Sequence, residues 1–171
     1  QDMNFVIAHL GGGISISAHE HGRIIDVITD DAGPFSPERS GSVPILYIVD
    51  MCYSGEYSKS ELKKKLRGMG GLKALLGTFD CREIEKRINA GDEEAKLAYE
   101  AEAYQIAKGI GELATTMNGN VDEIILTGGV ANSKMLTGMV SERVKFIAPV
   151  HVMPGENELE ALSLGALRIL R

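Results

Sequence analysis

The sequence predicts an α/β fold, packed as one compact domain with a helical insertion over roughly residues 43–116. Short apolar runs closed by glycines at both ends of the chain indicate strands. Apolar residues at three- and four-residue spacing through the middle of the chain indicate helices. The 171 residues, of which 44% are hydrophobic, are enough to bury one sizeable core.

The amino-terminal part of the chain predicts three strands joined by tight turns. Residues 4–9 (NFVIAH) form a short apolar run that ends in three glycines, and we interpret this run as a buried strand. Residues 14–19 alternate apolar with small polar side chains, and residues 23–28 are rich in β-branched side chains. His21-Gly22 lies between these two runs. We therefore expect a β-meander with hairpin connections.

An irregular segment and then a series of helices are predicted to follow. Residues 32–44 contain three prolines and two glycines, so this segment is expected to be a long loop, and long ordered loops are often functional. Ser58-x-x-Glu61 is a capping box at the start of a lysine-rich helix. Asp80 and Asp92 are expected to cap the next two helices.

The helix that begins after Asp92 is the longest predicted element. Its apolar face, at helical spacing, comprises Ala103, Ile106, Ile110, Leu113 and Met117. Gly109 and Gly111 would each weaken an isolated helix by about 1 kcal/mol. We therefore expect a close neighbour at both glycines rather than a free surface.

The final third of the sequence predicts alternating strands and helices. A strand over residues 122–126 is followed by a tight turn at residues 127–129 and a helix over residues 132–144. Another strand is predicted over residues 145–153, and a closing helix over residues 157–170.

Composition excludes several classes of partner. The net charge is −6 and the basic residues are scattered, which disfavours a nucleic-acid or membrane-surface binder. Cys52 and Cys81 have no metal-like spacing, and we interpret them as reduced thiols of a cytoplasmic protein. No apolar run is long enough to span a bilayer, and no secretory leader is recognised. Because the chain begins with Gln1 and enters a strand within a few residues, we expect a piece of a longer protein.

Two glycine-rich segments are candidate phosphate-binding sites. The first, Gly11-Gly12-Gly13, lies between two predicted strands, where successive N–H groups can surround an anion. A simple hairpin turn is the alternative. The second is Thr127-Gly-Gly-Val-Ala-Asn132, where a strand end meets a helix start, and an ordinary strand-to-helix turn is its alternative. This pairing of a glycine hairpin with a later glycine turn is the arrangement of the ribonuclease H-like actin/hexokinase/sugar-kinase fold.

Five segments, in order along the chain, resemble motifs of the acetate and butyrate kinase family. They are HLGGGI at 9–14, GPFSPERSGSVP at 33–44, GTFDCREIE at 77–85, ILTGGVAN at 125–132 and VMPGENELEALSL at 152–164. The residues of the second and fifth segments are closer to the butyrate kinase motifs than to the acetate kinase motifs. The family's amino-terminal half, which holds much of the acyl site, has no counterpart in the chain.

The resemblance implies a role for each matching residue. Arg39 would stabilise the phosphoryl group during transfer, as a planar guanidinium can; a surface arginine is the alternative. His9, Gly11, Gly12 and Gly13 would bind phosphates, although His9 could equally cap its turn. The adenosine would be bound by Asp80, Arg82, Gly128, Gly129, Val130 and Asn132.

The resemblance also implies a magnesium-associated glutamate in the last motif. Glu158 is the matching residue, with a possible slip of one or two positions towards Glu156 or Glu160; acids that complement a helix dipole are the alternative. Asp30 and Asp31 are interpreted as a solvated loop pair rather than as metal or water ligands.

The implied activity is reversible, Mg²⁺-dependent phosphoryl transfer from ATP to butyrate or a similar short acid, giving an acyl phosphate and ADP. We expect a homo-oligomer, and we expect the isolated chain to bind Mg·ADP weakly and to be inactive. A tRNA-modifying carbamoyltransferase of the same fold is one alternative, although its His-x-x-x-His metal motif does not occur here. A non-catalytic nucleotide-binding module is the other.

Overall fold

Five strands form a single mixed sheet in the order β3-β2-β1-β4-β5. The structure is a computed structural model that describes residues 2–155, 163, 166 and 167. The strands are β1 (Phe5–Leu10), β2 (Ile14–Glu20), β3 (Arg23–Ile28), β4 (Glu123–Gly128) and β5 (Val150–Pro154). The first three strands are antiparallel neighbours, whereas β4 pairs parallel to β1 and β5 pairs parallel to β4. The predicted meander is therefore confirmed.

Alternation of side chains along three strands places the core on one face of the sheet. In β1, β2 and β4 every second residue is buried and its neighbours are half-buried, with β2 becoming exposed at its end. The buried apolar side chains of these strands are Val6, Ala8, Leu10, Ile14, Ile16, Ala18, Ile124 and Leu126. The run at residues 4–9 contains only buried and half-buried residues, so the predicted buried strand is confirmed, with its fully buried side chains on one face.

Six α-helices accompany the sheet in the part of the chain that the structure describes in full. They are α1 (Ile45–Tyr53), α2 (Lys59–Leu66), α3 (Gly71–Leu76), α4 (Cys81–Asn89), α5 (Glu93–Thr116) and α6 (Lys134–Val144). The predicted caps are confirmed: Ser58 and Glu61 form a complete capping box, and Asp80 and Asp92 each accept a backbone N–H. No described helix has the length and apolar character needed to cross a membrane.

The long helix α5 packs against the buried face of the sheet. Its predicted apolar residues, Ala103, Ile106, Ile110, Leu113 and Met117, are all buried. The expected close neighbour exists at Gly109, where an added Cβ would lie 2.5 Å from Cδ1 of Ile16. At Gly111 the expectation is wrong, because nothing lies within 4 Å of such an atom.

Three predicted boundaries in the last third are wrong. Thr127 and Gly128 extend β4, and a 3-10 helix at Gly129–Asn132 occupies the predicted turn. The following helix begins at Lys134 rather than at residue 132, because the Ser133 hydroxyl accepts the N–H of Leu136 and caps it. Residues 145–149 are turns that end α6, so only the later part of the predicted strand forms.

The predicted closing helix, residues 157–170, lies outside the described residues except at three positions. Those three, Ser163, Ala166 and Leu167, are helical.

One acidic side chain lies in the core without a partner. Glu102 in α5 is fully buried, and neither of its carboxylate oxygens has a hydrogen-bond partner in the described structure. Burial raises the pKa of Glu102 from 4.5 to about 8. Folding therefore favours the protonated form of Glu102. The stability that depends on this protonation is fully present below pH 4.5 and is lost as the pH rises to about 8.

The two glycines of α5 give a matched test of core packing. We expect Gly111→Ala to raise the free energy of unfolding by about 0.5–1 kcal/mol, because it gains helix propensity in open space. Gly109→Ala gains the same helix propensity, but its methyl group crowds Ile16, which costs about 1–3 kcal/mol. This variant should therefore be no more stable than the parent protein. Denaturant unfolding measures both. A Gly109→Ala variant as stable as Gly111→Ala would contradict this packing.

Replacing the buried acid should change the pH dependence of stability. We expect Glu102→Gln to stabilise the protein on the order of 2 kcal/mol at pH 8 and much less at pH 5. At pH 8 the glutamate of the parent protein is ionised in the unfolded chain and must take up a proton to be buried, whereas glutamine carries no charge at either pH. Urea unfolding at both pH values measures the difference. The control is Glu112→Gln, an exposed position of the same helix, which should change stability by less than about 0.5 kcal/mol at either pH. Equal effects of Glu102→Gln at pH 5 and pH 8 would show that Glu102 is not protonated by burial.

Candidate functional site

The glycine loop between β1 and β2 forms one wall of a polar cleft of about 440 Å³. The N–H of Gly11 donates to the carbonyl of Gly13 at 3.1 Å, which closes a tight turn. Four residues of the predicted phosphate site, His9 and Gly11–Gly13, line this cleft together with Arg39. The structure therefore brings the predicted hairpin and the predicted catalytic arginine to one place.

The guanidinium of Arg39 lies directly against the glycine loop. A Cβ added at Gly13 would lie 2.5 Å from Nη1 and 2.6 Å from Cζ of Arg39. Any side chain at Gly13 would therefore displace the arginine. This close approach is the local reason for a glycine at this position.

Ser36 fixes the loop that carries Arg39. Its side chain is fully buried, and its hydroxyl donates to the carbonyl of Gly12 at 2.7 Å while accepting the N–H of Arg39 at 3.2 Å. The N–H of Ser36 in turn donates to the carbonyl of Arg39 at 3.0 Å. One hydroxyl thus connects the glycine hairpin to the arginine. The sequence analysis did not identify Ser36, because its importance depends on contacts distant in sequence.

Charge in this cleft is balanced by neighbouring ion pairs. Arg39 pairs with Asp30, and Arg67 contacts Asp30 at 3.4 Å and Asp31 at 3.0 Å. Burial, with a smaller effect of the charge on Arg67, lowers the pKa of Arg39, although a guanidinium remains protonated. Asp30 and Asp31 lie in the loop as interpreted, with Asp31 exposed, and both also pair with arginines.

A second cleft, of about 630 Å³, lies between the start of α4 and the 3-10 helix. Its lining includes five of the residues predicted to bind adenosine: Asp80, Arg82, Gly129, Val130 and Asn132. Phe79 and Cys81 add apolar and weakly polar surface. These residues come from segments far apart in sequence, and the sheet brings them together.

Gly128 supports this cleft from behind rather than lining it. Its φ of +93° and its contact with β1 both require glycine, since an added Cβ would lie 2.8 Å from the carbonyl carbon of Leu10. The turn after β4 is therefore packed onto the backbone that leads into the glycine hairpin.

Asp80 and Arg82 form a local pair at the rim of the second cleft. Asp80 caps α4 through the N–H of Arg82 at 3.0 Å, and its carboxylate pairs with the Arg82 side chain at 2.9 and 2.7 Å. The hydrogen bonds from Arg82 lower the pKa of Asp80 to about 2. The capping role predicted for Asp80 is confirmed, and it leaves the Arg82 side chain 87% exposed. Asn132 holds the 3-10 helix, donating its side-chain amide to the carbonyl of Gly129 at 2.9 Å.

A polar network lies beneath the second cleft. Oε1 of Glu85 accepts the Ser133 hydroxyl at 2.5 Å and the Tyr99 hydroxyl at 3.3 Å. Ser133 and Tyr99 are themselves 3.0 Å apart. Burial raises the pKa of Cys81 to about 12, so this thiol is a weak nucleophile. None of these partners is close in sequence, so no local pattern could have revealed the network.

Neither cleft contains an acidic cluster suited to a metal ion. Across the described residues, no group of three or more His, Cys, Asp or Glu side chains could hold one. The candidate magnesium residue Glu158 lies outside the described residues, as do Glu156 and Glu160. The described part of this segment ends at the carboxyl edge of the sheet, where the N–H of Gly155 donates to the carbonyl of Gly128 at 3.2 Å.

Comparison with known proteins gives consistent matches over the whole chain. Residues 1–160 match the model of the acetokinase family. The chain is 56% identical to "Probable butyrate kinase 2" of Caldanaerobacter subterraneus subsp. tengcongensis, covering 100% of this chain and 49% of that protein.

The solved structures agree with that match. An acetate kinase from Porphyromonas gingivalis superimposes with a TM-score of 0.87 at 26% identity, over 99% of this chain and 50% of its own. A ROK hexokinase from Thermus thermophilus, at 16% identity and a TM-score of 0.52, covers 87% of this chain and 51% of its own. This second likeness shows the fold alone, and it confirms the predicted actin/hexokinase type. The chain spans about half the length of the relatives it matches.

Proposed function

The chain belongs to the acetokinase family, and we propose that it is the carboxy-terminal, nucleotide-binding half of a carboxylate kinase. The reaction is reversible phosphoryl transfer from ATP to a short-chain carboxylic acid, giving an acyl phosphate and ADP. Among acids, butyrate or a branched analogue is favoured, because the 56% identical relative is described as a probable butyrate kinase.

The observation that carries this proposal is that two clefts lie side by side at one edge of the sheet. The glycine hairpin and Arg39 form the first cleft, and the second is formed by α4 and the 3-10 helix. Gly128 packs directly on Leu10, which joins the walls of the two clefts. A nucleotide placed across them would have its adenosine in the second and its phosphates at the first.

The hairpin offers the groups that a phosphate needs. Backbone N–H groups of glycines without side chains can approach phosphate oxygens closely. The ring of His9 lies close to the loop, with Nε2 3.3 Å from the position of a Cβ at Gly11, and in the proposed complex it would donate to a phosphate oxygen.

Arg39 is the residue we assign to transition-state stabilisation. Phosphoryl transfer spreads charge over the equatorial oxygens of the transferred group, and a guanidinium can bind two of them at once. In the structure that guanidinium pairs with the Asp30 carboxylate. An incoming phosphate would compete with Asp30 for the same donors, so Asp30 maintains the orientation of Arg39 until the substrate arrives.

Mg²⁺ would supply charge shielding of the β- and γ-phosphates when bound. Such ions keep several waters and take few protein ligands. Glu158 remains our candidate for the associated carboxylate, because its segment follows Gly155 at the edge of the sheet beside Gly128.

We also propose that the intact protein is a cytoplasmic homo-oligomer whose acyl pocket is completed by sequence outside this chain. The isolated chain would then bind nucleotide weakly and catalyse nothing. No comparison favours the tRNA-modifying carbamoyltransferase or the non-catalytic module.

Replacing Arg39 tests the catalytic assignment. We expect Arg39→Ala in the intact protein to lower kcat about 10³-fold or more, because charge on the transferred phosphoryl group loses its main donor. Acyl phosphate formed from ATP, Mg²⁺ and acetate, butyrate or isobutyrate is trapped with hydroxylamine. Arg143→Ala, at an exposed position on α6 that lines neither of these clefts, is the control. Loss of less than about tenfold in kcat would remove Arg39 from the mechanism, and no product from the parent enzyme with any acid would refute the kinase.

Removing the Ser36 hydroxyl tests the link between hairpin and arginine. We expect Ser36→Ala to lower kcat about tenfold or more with little change in the KM for ADP, because a misplaced Arg39 affects the transition state more than nucleotide binding. Ser42→Ala is the matched control, since its exposed hydroxyl also donates to a backbone carbonyl of the same loop, that of Ala32 at 2.6 Å. Parallel losses in kcat and in melting temperature, with a raised KM, would indicate a purely structural role for Ser36.

A further inference from the structure

Glu85 is the one carboxylate that both lines the second cleft and belongs to the buried network beneath it. We propose that Glu85 is the specificity residue for the purine base, accepting a hydrogen bond from the 6-amino group of adenine. This assignment rests on the proposed nucleotide site, and it extends that site to a choice between bases.

Glu85 is a half-buried residue in the lining of the cleft. Its partner Tyr99 is fully buried, so the carboxylate is fixed on the core side. Arg82, by contrast, has a side chain that is 87% exposed and lies at the rim. A flat, largely apolar base fits against the apolar side chains of Phe79 and Val130, whereas a ribose fits near the charged Arg82.

The hydrogen bonds of Glu85 leave one oxygen for a ligand. Oε1 accepts from Ser133 at 2.5 Å and from Tyr99 at 3.3 Å. Oε2 has no partner in the part of the chain that the structure describes. A carboxylate accepts hydrogen bonds and donates none, so the group that fits Oε2 is a donor such as an exocyclic amine.

The network also prevents the carboxylate from turning away. Ser133 caps α6 through the N–H of Leu136 at 2.9 Å, and Tyr99 is held in the packed core by α5. Three helices therefore fix one carboxylate before any ligand binds. Preorganisation of this kind lets a single hydrogen bond discriminate between ligands, because no reordering cost is added on binding.

The same bonds predict what an amide would do in this position. In Glu85→Gln the side-chain carbonyl would accept from Ser133 and Tyr99, which both donate to this site in the parent protein. The amide NH₂ would then face the base, where it repels the adenine amine and can donate to a 6-oxo group.

The experiment measures binding of three Mg²⁺-nucleoside diphosphates to the intact protein by titration calorimetry. They are ADP, its analogue with hydrogen in place of the 6-amino group, and IDP, which has a 6-oxo group. We expect the parent protein to bind ADP about tenfold more tightly than the 6-hydrogen analogue, because a hydrogen bond to a charged group is lost. In Glu85→Gln the preference for ADP over the 6-hydrogen analogue should disappear, and the affinity for IDP relative to that for ADP should rise about tenfold.

The control is Glu83→Gln, on the same helix, whose carboxylate accepts from Thr78 and does not line the cleft. It should keep the preference of the parent protein. Equal affinity of the parent protein for ADP and the 6-hydrogen analogue would overturn the assignment whether or not the variant folds. A Glu85→Gln variant that weakens all three ligands equally would overturn it too, by showing a structural role only. Failure of the parent to bind any nucleotide would instead refute the proposed nucleotide site.

Discussion

The parallel pairing of β1 with β4 is the constraint on which the site depends. Phe5 pairs with Glu123 and His9 with Thr127, so both strands run to the same edge of the sheet. The glycine hairpin follows β1 at that edge and the 3-10 helix follows β4. Gly128 lies against the backbone of Leu10, and no residue with a side chain could allow that approach. The strand register therefore sets the distance between the two clefts before any ligand binds.

The electrostatics of the first cleft follow from the same geometry. A guanidinium brought against a glycine loop and partly removed from water needs a counter-charge, which Asp30 supplies. Arg67 shares that carboxylate and also pairs with Asp31, so two arginines and two aspartates form one ion-pair network beside the glycine loop. An anion entering the cleft therefore finds positive charge that is already oriented, which is the arrangement that electrostatic catalysis uses.

Local sequence was sufficient for most of the fold and for the residues that lie in motifs. Strand alternation, the caps at Ser58, Asp80 and Asp92, and the apolar face of α5 are local features, and the structure confirms them. The glycine hairpin became a candidate through its three glycines, whereas the role of Arg39 came from the resemblance to the acetate and butyrate kinase family.

The residues and boundaries that the sequence analysis missed depend on contacts that a local pattern does not show. Ser36, Glu85, Tyr99 and Ser133 act through contacts between segments far apart in the chain, and serine or tyrosine alone gives no signal. The start of β5 was predicted five residues too early because an apolar run after a helix can continue as turns as readily as it begins a strand. Gly111 was misjudged because helix propensity shows that a glycine is costly, but not whether a neighbour requires it.

Two carboxylates, the half-buried Glu85 and the fully buried Glu102, differ in how the cost of removing them from water is offset. Glu85 is held by two hydroxyls and keeps one oxygen for a ligand, so its desolvation is compensated. Glu102 has no such partner in the described structure, and its burial is tolerated by protonation instead. As the pH approaches 8 that protonation is lost, and the new charge lies near Cys81 and Tyr99, whose pKa values it already helps to raise. Alkaline pH should therefore weaken the core around Glu102, because in the described structure its carboxylate has no donor to receive the charge.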